Sequence, residues 1–192
     1  MARSRTFDPT EALEQAMCVF WDKGYVAASM ADVVEATGVA RYGLYQAFGD
    51  KDDLYRAALA RYRLKVRDEM LASLKEPGAG FEAIEAHFNK LREALRGGDR
   101  KGCLACLAAI ERAPEDPEVE RIVSETVTEM KVAFAHALGN ALSRQEVRPL
   151  PLSDLSEYLV GLQRSLATLV RSNTPEEDID RHLTCALALL RA

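Results

Sequence analysis

The chain has 192 residues, 48% of them hydrophobic and 29% charged, with a formal net charge of −5. That length and apolar content suit one compact unit or two small ones sharing a core. No apolar run approaches the ~20 residues of a membrane span, and the stretch from Met1 to Asp8 lacks the apolar core of a secretory leader, so a cytoplasmic protein without a membrane partner is expected. Cys18, Cys103, Cys106 and Cys185 lie inside helical patterns and read as reduced thiols rather than a disulfide framework. Three solitary histidines and the absence of a glycine-rich phosphate loop point away from an enzyme; no catalytic residue, metal site or cofactor is expected. The acid is unevenly placed. Residues 1–67 carry 10 Lys and Arg against 9 Asp and Glu, whereas residues 68–192 carry 15 against 21. The N-terminal part is therefore neutral to slightly basic, which permits a polyanionic partner without demanding one.

Every segment with clear periodicity is helical. Asp8 caps a first helix, with Pro9 at its first position and Glu11 at capping-box spacing. Leu13, Ala16, Met17, Phe20 and Trp21 share one face of that helix, and Gly24 ends it. Ser29, supported by Asp32, opens a second helix that stops at Gly38. A short third helix spans about 41–48, and Gly49 breaks the chain before Asp50 and Asp53 open a fourth.

The fourth helix is expected to reach about residue 75. Its ladder of Leu54, Ala58, Tyr62, Val66, Met70 and Leu74 advances by four and so winds slowly around the axis. After the break at 76–80, Phe81, Ile84, Phe88, Leu91 and Leu95 form an amphipathic helix closed by Gly97 and Gly98. Residues 103–113 read as a short, nearly all-apolar helix that should be buried. A long helix over about 118–142 and two final helices, about 153–171 and 175–190, complete an all-α chain. His87, His136 and His182 fall at the edges of apolar stripes, as surface or internally satisfied groups rather than ligands.

The second and third helices, joined through Gly38, Val39 and Ala40, have the proportions of a helix-turn-helix. Val33, Val34, Val39, Leu44 and Phe48 are the expected core against Phe20 and Trp21. Arg41, Tyr42, Tyr45 and Gln46 are left on the outer side of the third helix, and their chemistry suits base edges and phosphates in a major groove. Arg3 and Arg5 fit an arm reaching toward the same polyanion.

The stretch from Gly24 to Leu54, with its turn glycines, the Leu44-Tyr45 pair and Lys51 in register, closely resembles the DNA-binding domain of the TetR family of regulators; the likeness spans about 7–62. The resemblance implies an N-terminal three-helix DNA-binding domain, placed at 1–50, and a C-terminal helical domain, placed at 51–192, for ligand binding and dimerisation. By that likeness Arg41, Tyr42, Tyr45 and Gln46 face DNA, while Ser29 and Lys51 hold phosphates at helix starts. Two departures are Ala40, where the family often has Ser or Thr, and Tyr42, where Gly is frequent.

The implied partners are a palindromic double-stranded operator, a small-molecule effector and a second copy docked through the last two helices. Leu155, Leu159, Leu162, Leu166, Leu169, Leu183, Leu187 and Leu190 are the expected surplus apolar surface of that dimer. Arg164 and Thr168 are candidate effector contacts. Cys103 and Cys106 stand near a helix start, beside Arg100 and Lys101, an environment that favours a thiolate. The segment from Gly102 also resembles a TetR subset with Gly-Cys at this point, and some relatives sense oxidants or electrophiles through cysteine. The main reading is a repressor released from its operator by an effector. The alternatives are a thiol-based sensor acting through Cys103 and Cys106, and a thiol redox enzyme.

Overall fold

The Asp8 carboxylate accepts a hydrogen bond from the Thr10 N–H at 2.8 Å and starts α1 (Pro9–Ala27). The computed structural model describes residues 7–192, so the arm carrying Arg3 and Arg5 lies outside them. Helices α2 (Met30–Thr37), α3 (Arg41–Phe48), α4 (Lys51–Lys65), α5 (Phe81–Arg96), α6 (Leu104–Glu111), α7 (Pro117–Ser143), α8 (Leu152–Arg171) and α9 (Glu176–Ala188) follow. Among the described residues there are nine α-helices, and the β structure is an isolated bridge between Val147 and Arg191. No helix among the described residues is long and apolar enough to cross a membrane.

The chain divides into two compact units, each discontinuous in sequence: Met1–Leu64 with Leu104–Val123, and Lys65–Cys103 with Ser124–Ala192. The helix-turn-helix lies wholly within the first. There Phe20, Val33, Leu44, Leu54, Tyr55, Leu59 and Tyr62 are almost wholly buried. Edge-to-face contacts between Phe20 and Tyr55 at 5.0 Å and between Trp21 and Tyr62 at 4.9 Å brace α1 against α4. Helix α6 contributes Leu104, Ala105 and Ala108 to the buried set. It is not buried throughout, as its composition predicted: Ile110 is 76% exposed.

The fourth helix departs from its expected course. Regular α geometry stops at Lys65, a π turn takes over at Val66–Met70, and a 3-10 turn follows at Ala72–Lys75. The Leu71 N–H reaches back five residues to the Val66 carbonyl at 3.0 Å. A strict stride of four would have carried the drifting stripe out of the core. The π turn presents Leu71, rather than Met70, beside Val66 and Leu74, and these three are at most 1% exposed.

In the second unit Phe88 stacks on Phe134 with ring centroids 5.9 Å apart. His87 is buried beside them. Its Nδ1 lies 3.2 Å from the Met70 carbonyl and its Nε2 3.0 Å from the Gln163 amide, and burial holds the imidazole below its ordinary pKa. Of the leucines expected to be surplus, Leu155, Leu159, Leu162, Leu166, Leu183, Leu187 and Leu190 are all buried within the single chain. The folded monomer already uses them, so they are not the exposed surface of a dimer.

Candidate nucleic-acid interface

The outer face of α3 is fixed by how α2 begins and ends. The Ser29 hydroxyl accepts from the Asp32 N–H at 3.1 Å, and the Asp32 carboxylate accepts in return from the Ser29 N–H at 2.7 Å, a reciprocal capping box. Lys23 holds the other carboxylate oxygen at 2.7 Å. The Lys23 hydrogen bond first, and those from Ser29 second, pull the Asp32 carboxyl down to about 2. Gly38 ends α2 in the left-handed region at φ 64°, where its N–H donates to the Val34 carbonyl at 2.9 Å.

The chain then turns so that Val39 and Leu44 are inside, with Val34 and Phe48 half-buried around them. Gly43 lies so close to its neighbours that an added Cβ would come within 3.1 Å of Val39 Cγ1 and 3.3 Å of the Phe7 ring. With that side filled, Arg41, Tyr42, Tyr45 and Gln46 are all exposed on the opposite side. Tyr42 is 76% exposed, and Arg41 bonds to Tyr45 along the helix. Ala40 provides no side-chain cap for α3, as its methyl group dictates.

Ser29 is exposed at the start of α2, but its hydroxyl also donates to Asp32 Oδ2 at 2.8 Å. Lys51 is half-buried at the start of α4, and its ammonium donates to the Tyr25 carbonyl at 2.8 Å. Tyr25 is the centre of a cluster that sequence reading missed. Its N–H donates to Glu111 Oε2 at 2.7 Å and its hydroxyl donates to the Asp52 carboxylate. The Arg112 guanidinium lies 4.5 Å from its ring centroid and 3.3 Å from Asp52. Burial, and then the bond to Asp52, raise the Tyr25 phenol above its ordinary pKa.

Just beyond, Asp116 is 4% exposed and caps α7 by accepting from the Glu118 and Val119 N–H groups, while Arg56 reaches it at 3.0 Å. Burial pushes its carboxyl up, but these donors outweigh burial and hold it below the usual range. The only sequence clue to this cluster was the charged Glu111-Arg112 pair closing an apolar helix. Partners 86 residues apart leave no periodic trace.

The candidate sensor residues do not converge. Cys103 immediately precedes α6 instead of sitting in its first turn, and it is 5% exposed; Cys106 is half-buried, and Cys18 and Cys185 are the exposed cysteines. At Gly102, φ 65°, an added Cβ would lie 2.7 Å from the Ala167 carbonyl oxygen, so the backbone runs hard against α8 and carries Cys103 inward. Arg100 is engaged with the Thr174 carbonyl at 3.0 Å. Arg164 and Thr168 are exposed one turn apart on α8, joined through the Arg164 carbonyl at 3.2 Å. Among the described residues no group of three His, Cys, Asp or Glu side chains is placed to hold a metal ion.

Comparison with known proteins agrees with this geometry. The family described as bacterial regulatory proteins, tetR family, matches residues 12–58, the span of α1 to α4 that carries the outward face. The uncharacterized HTH-type transcriptional regulator YezE of Bacillus subtilis (strain 168) is 31% identical over 193 residues, covering 99% of this chain and 100% of its own. The HTH-type transcriptional repressor ComR of Escherichia coli (strain K12) is 26% identical over 92% of this chain and 86% of its own. Among solved structures, a cysteine mutant of the TetR family transcriptional regulator CifR, complexed with 26-bp double-strand operator DNA, superposes with a TM-score of 0.80 at 27% identity, over 98% of this chain and 100% of that one. This kinship sets aside the thiol redox enzyme. With an all-helical fold, a capped helix-turn-helix and a relative matched from end to end, the chain belongs to the TetR family of DNA-binding transcriptional regulators.

Proposed function

We propose that the protein is a homodimeric repressor that acts in the cytoplasm, holds a palindromic operator through α3 of each protomer, and lets go when residues 51–192 take up a small molecule. The observation that carries this reading is the exposed quartet Arg41, Tyr42, Tyr45 and Gln46 on a helix whose opposite side is locked by the fully buried Leu44. The similarity to ComR, itself a repressor, and to CifR, held on operator DNA, supports it. Release follows if the effector binds a conformation whose two recognition helices are wrongly spaced for successive major grooves, since a ligand shifts an equilibrium only by its differential affinity.

The dimer face we assign is the outward strip of α8 and α9. The buried leucines are unavailable, but Tyr158, Gly161, Ser165 and Leu169 on α8, with His182 and Cys185 on α9 and Leu189 just after it, are exposed or half-buried. Tyr158 donates to the Ala186 carbonyl at 3.3 Å, and Ser165 lies 3.4 Å from His182, so the two rows form one continuous surface. An isologous pairing of such strips gives the dimer two identical reading heads, and a palindrome read in successive major grooves requires those heads about 34 Å apart.

The deciding experiment is selection of duplex fragments by the purified full-length chain, followed by titration of the selected site at several salt concentrations. A palindromic site bound by two protomers, with affinity falling steeply with salt, is expected. Fragments with no common sequence, or a single half-site bound by a monomer, would overturn the proposal.

A further inference from the structure

Arg41 and Tyr45 share a contact that mere placement on one helix face does not require. Arg41 Nε and Nη2 both donate to the Tyr45 hydroxyl oxygen, at 3.0 and 2.9 Å, and the guanidinium carbon lies 5.4 Å from the Tyr45 ring centroid. The two residues are four apart, so their side chains meet along the helix without distortion. Arg41 is exposed, Tyr45 is 38% exposed, and Arg41 is the one charged residue of α3.

The chemistry of the pair follows from counting donors. A guanidinium carries five N–H bonds in one plane and accepts none. Tyr45 occupies the edge formed by Nε and Nη2. The terminal edge remains, with one N–H from Nη1 and one from Nη2 running parallel. Two parallel donors match guanine, whose O6 and N7 are adjacent acceptors in the major groove. Adenine sets a donor beside N7, cytosine presents a donor, and thymine offers O4 beside a methyl group, so none of these satisfies both N–H bonds. The phenol also fixes the guanidinium plane before DNA arrives, which reduces the side-chain freedom lost on binding.

We propose that Arg41 and Tyr45 act as one unit that reads a single guanine in each half-site. Arg41 supplies both donors, and Tyr45 is a positioning residue that orients them. This rests on the reading of α3 as the helix that enters the groove. A phosphate would accept from the same edge, so the test must separate guanine from backbone.

Each guanine of the selected duplex is replaced in turn by 7-deazaguanine, which lacks the N7 acceptor. Binding is measured by fluorescence anisotropy for the parent, Arg41→Ala and Tyr45→Phe, with circular dichroism confirming that each variant is folded. At one guanine per half-site the replacement is expected to weaken the parent by about 10- to 100-fold. Arg41→Ala loses that discrimination. Tyr45→Phe keeps the ring but not the acceptor; it loses much of the discrimination while its salt dependence is unchanged. If Arg41→Ala weakens both duplexes equally and its salt slope falls by about one, Arg41 holds a phosphate and the guanine inference fails, while the reading of α3 stands. If Arg41→Ala binds every duplex as the parent does, the reading of α3 fails with it. Full discrimination by Tyr45→Phe would overturn the positioning role.

Discussion

The ammonium of Lys51 donates to the backbone carbonyl of Tyr25 at 2.8 Å and lies 4.2 Å from the centroid of the same residue's ring. One cation thus serves two acceptors of a single residue, and it joins the start of α4 to the end of α1. The resemblance implies a phosphate contact for Lys51, and its bond to Tyr25 gives it a structural task as well. Lys51→Ala is expected to lower the stability of the DNA-free protein by about 1–2 kcal/mol, in the range of a charge-assisted hydrogen bond with a cation–π contact. Denaturant titration checks the loss. A variant as stable as the parent, with a salt slope on DNA reduced by about one, would leave Lys51 to phosphate alone.

The capping box of α2 carries a pH signature. The Asp32 carboxyl, held by Lys23 and Ser29, titrates at about 2 in the fold against 3.8 for an unperturbed group. A depressed carboxylate stabilises the fold above its unfolded pKa, and that contribution is lost as pH falls through the folded value. Asp32→Asn should therefore flatten the decline in unfolding temperature between about pH 4 and pH 2. Ser29→Ala, which removes the cap itself, should lower stability by about 1 kcal/mol at neutral pH. An unchanged acid limb in Asp32→Asn would show that the carboxylate contributes nothing there.

Gly161 gives the cleanest probe of the dimer. It is exposed on α8, and an added Cβ would meet no atom within 4 Å. Gly161→Trp should leave the monomer folded, since a helical glycine is already the less stable choice. It should sediment as a monomer at micromolar concentration, and its unfolding temperature should no longer rise with protein concentration. A variant that remains dimeric and binds the full operator would move the interface elsewhere.

Thiol reactivity should follow exposure. Cys18 and Cys185 are exposed, whereas Cys103 is 5% exposed. Timed alkylation read by mass spectrometry should label Cys18 first, Cys185 only as fast as the dimer face it lies on opens, and Cys103 only at a rate that rises with denaturant. Rapid native labelling of Cys103 would restore it as a sensor candidate.

Local chemistry was legible in the sequence wherever a helix starts or stops within a few residues. Asp8, Ser29 and Gly38 announce their ends because capping is a transaction between neighbours, and the outward set on α3 follows from one buried leucine and the helical period. The α6 segment misled because composition cannot say which side of a short apolar helix is covered, and Ile110 lies on the uncovered one. The leucines of α8 and α9 misled in the opposite sense: an apolar count does not distinguish a core already filled from a surface awaiting a partner. Lys51 and Tyr25 were invisible as a pair, since cation–π contacts and bonds to carbonyls across turns have no fixed spacing.

The π turn at Val66–Met70 makes chain length locally negotiable. Because Leu71 bonds back to Val66 across five residues, the segment holds one residue more than an α-helix needs to bring both side chains to the same face. Removing one residue between 67 and 70 turns that loop of backbone into an ordinary α turn and leaves Val66 and Leu71 in phase. The same deletion in the regular helix before Lys65 would rotate every later side chain by about 100°. Loss of a single residue is therefore expected to be tolerated at this point of the helix, where the same loss elsewhere along it would rebuild the core.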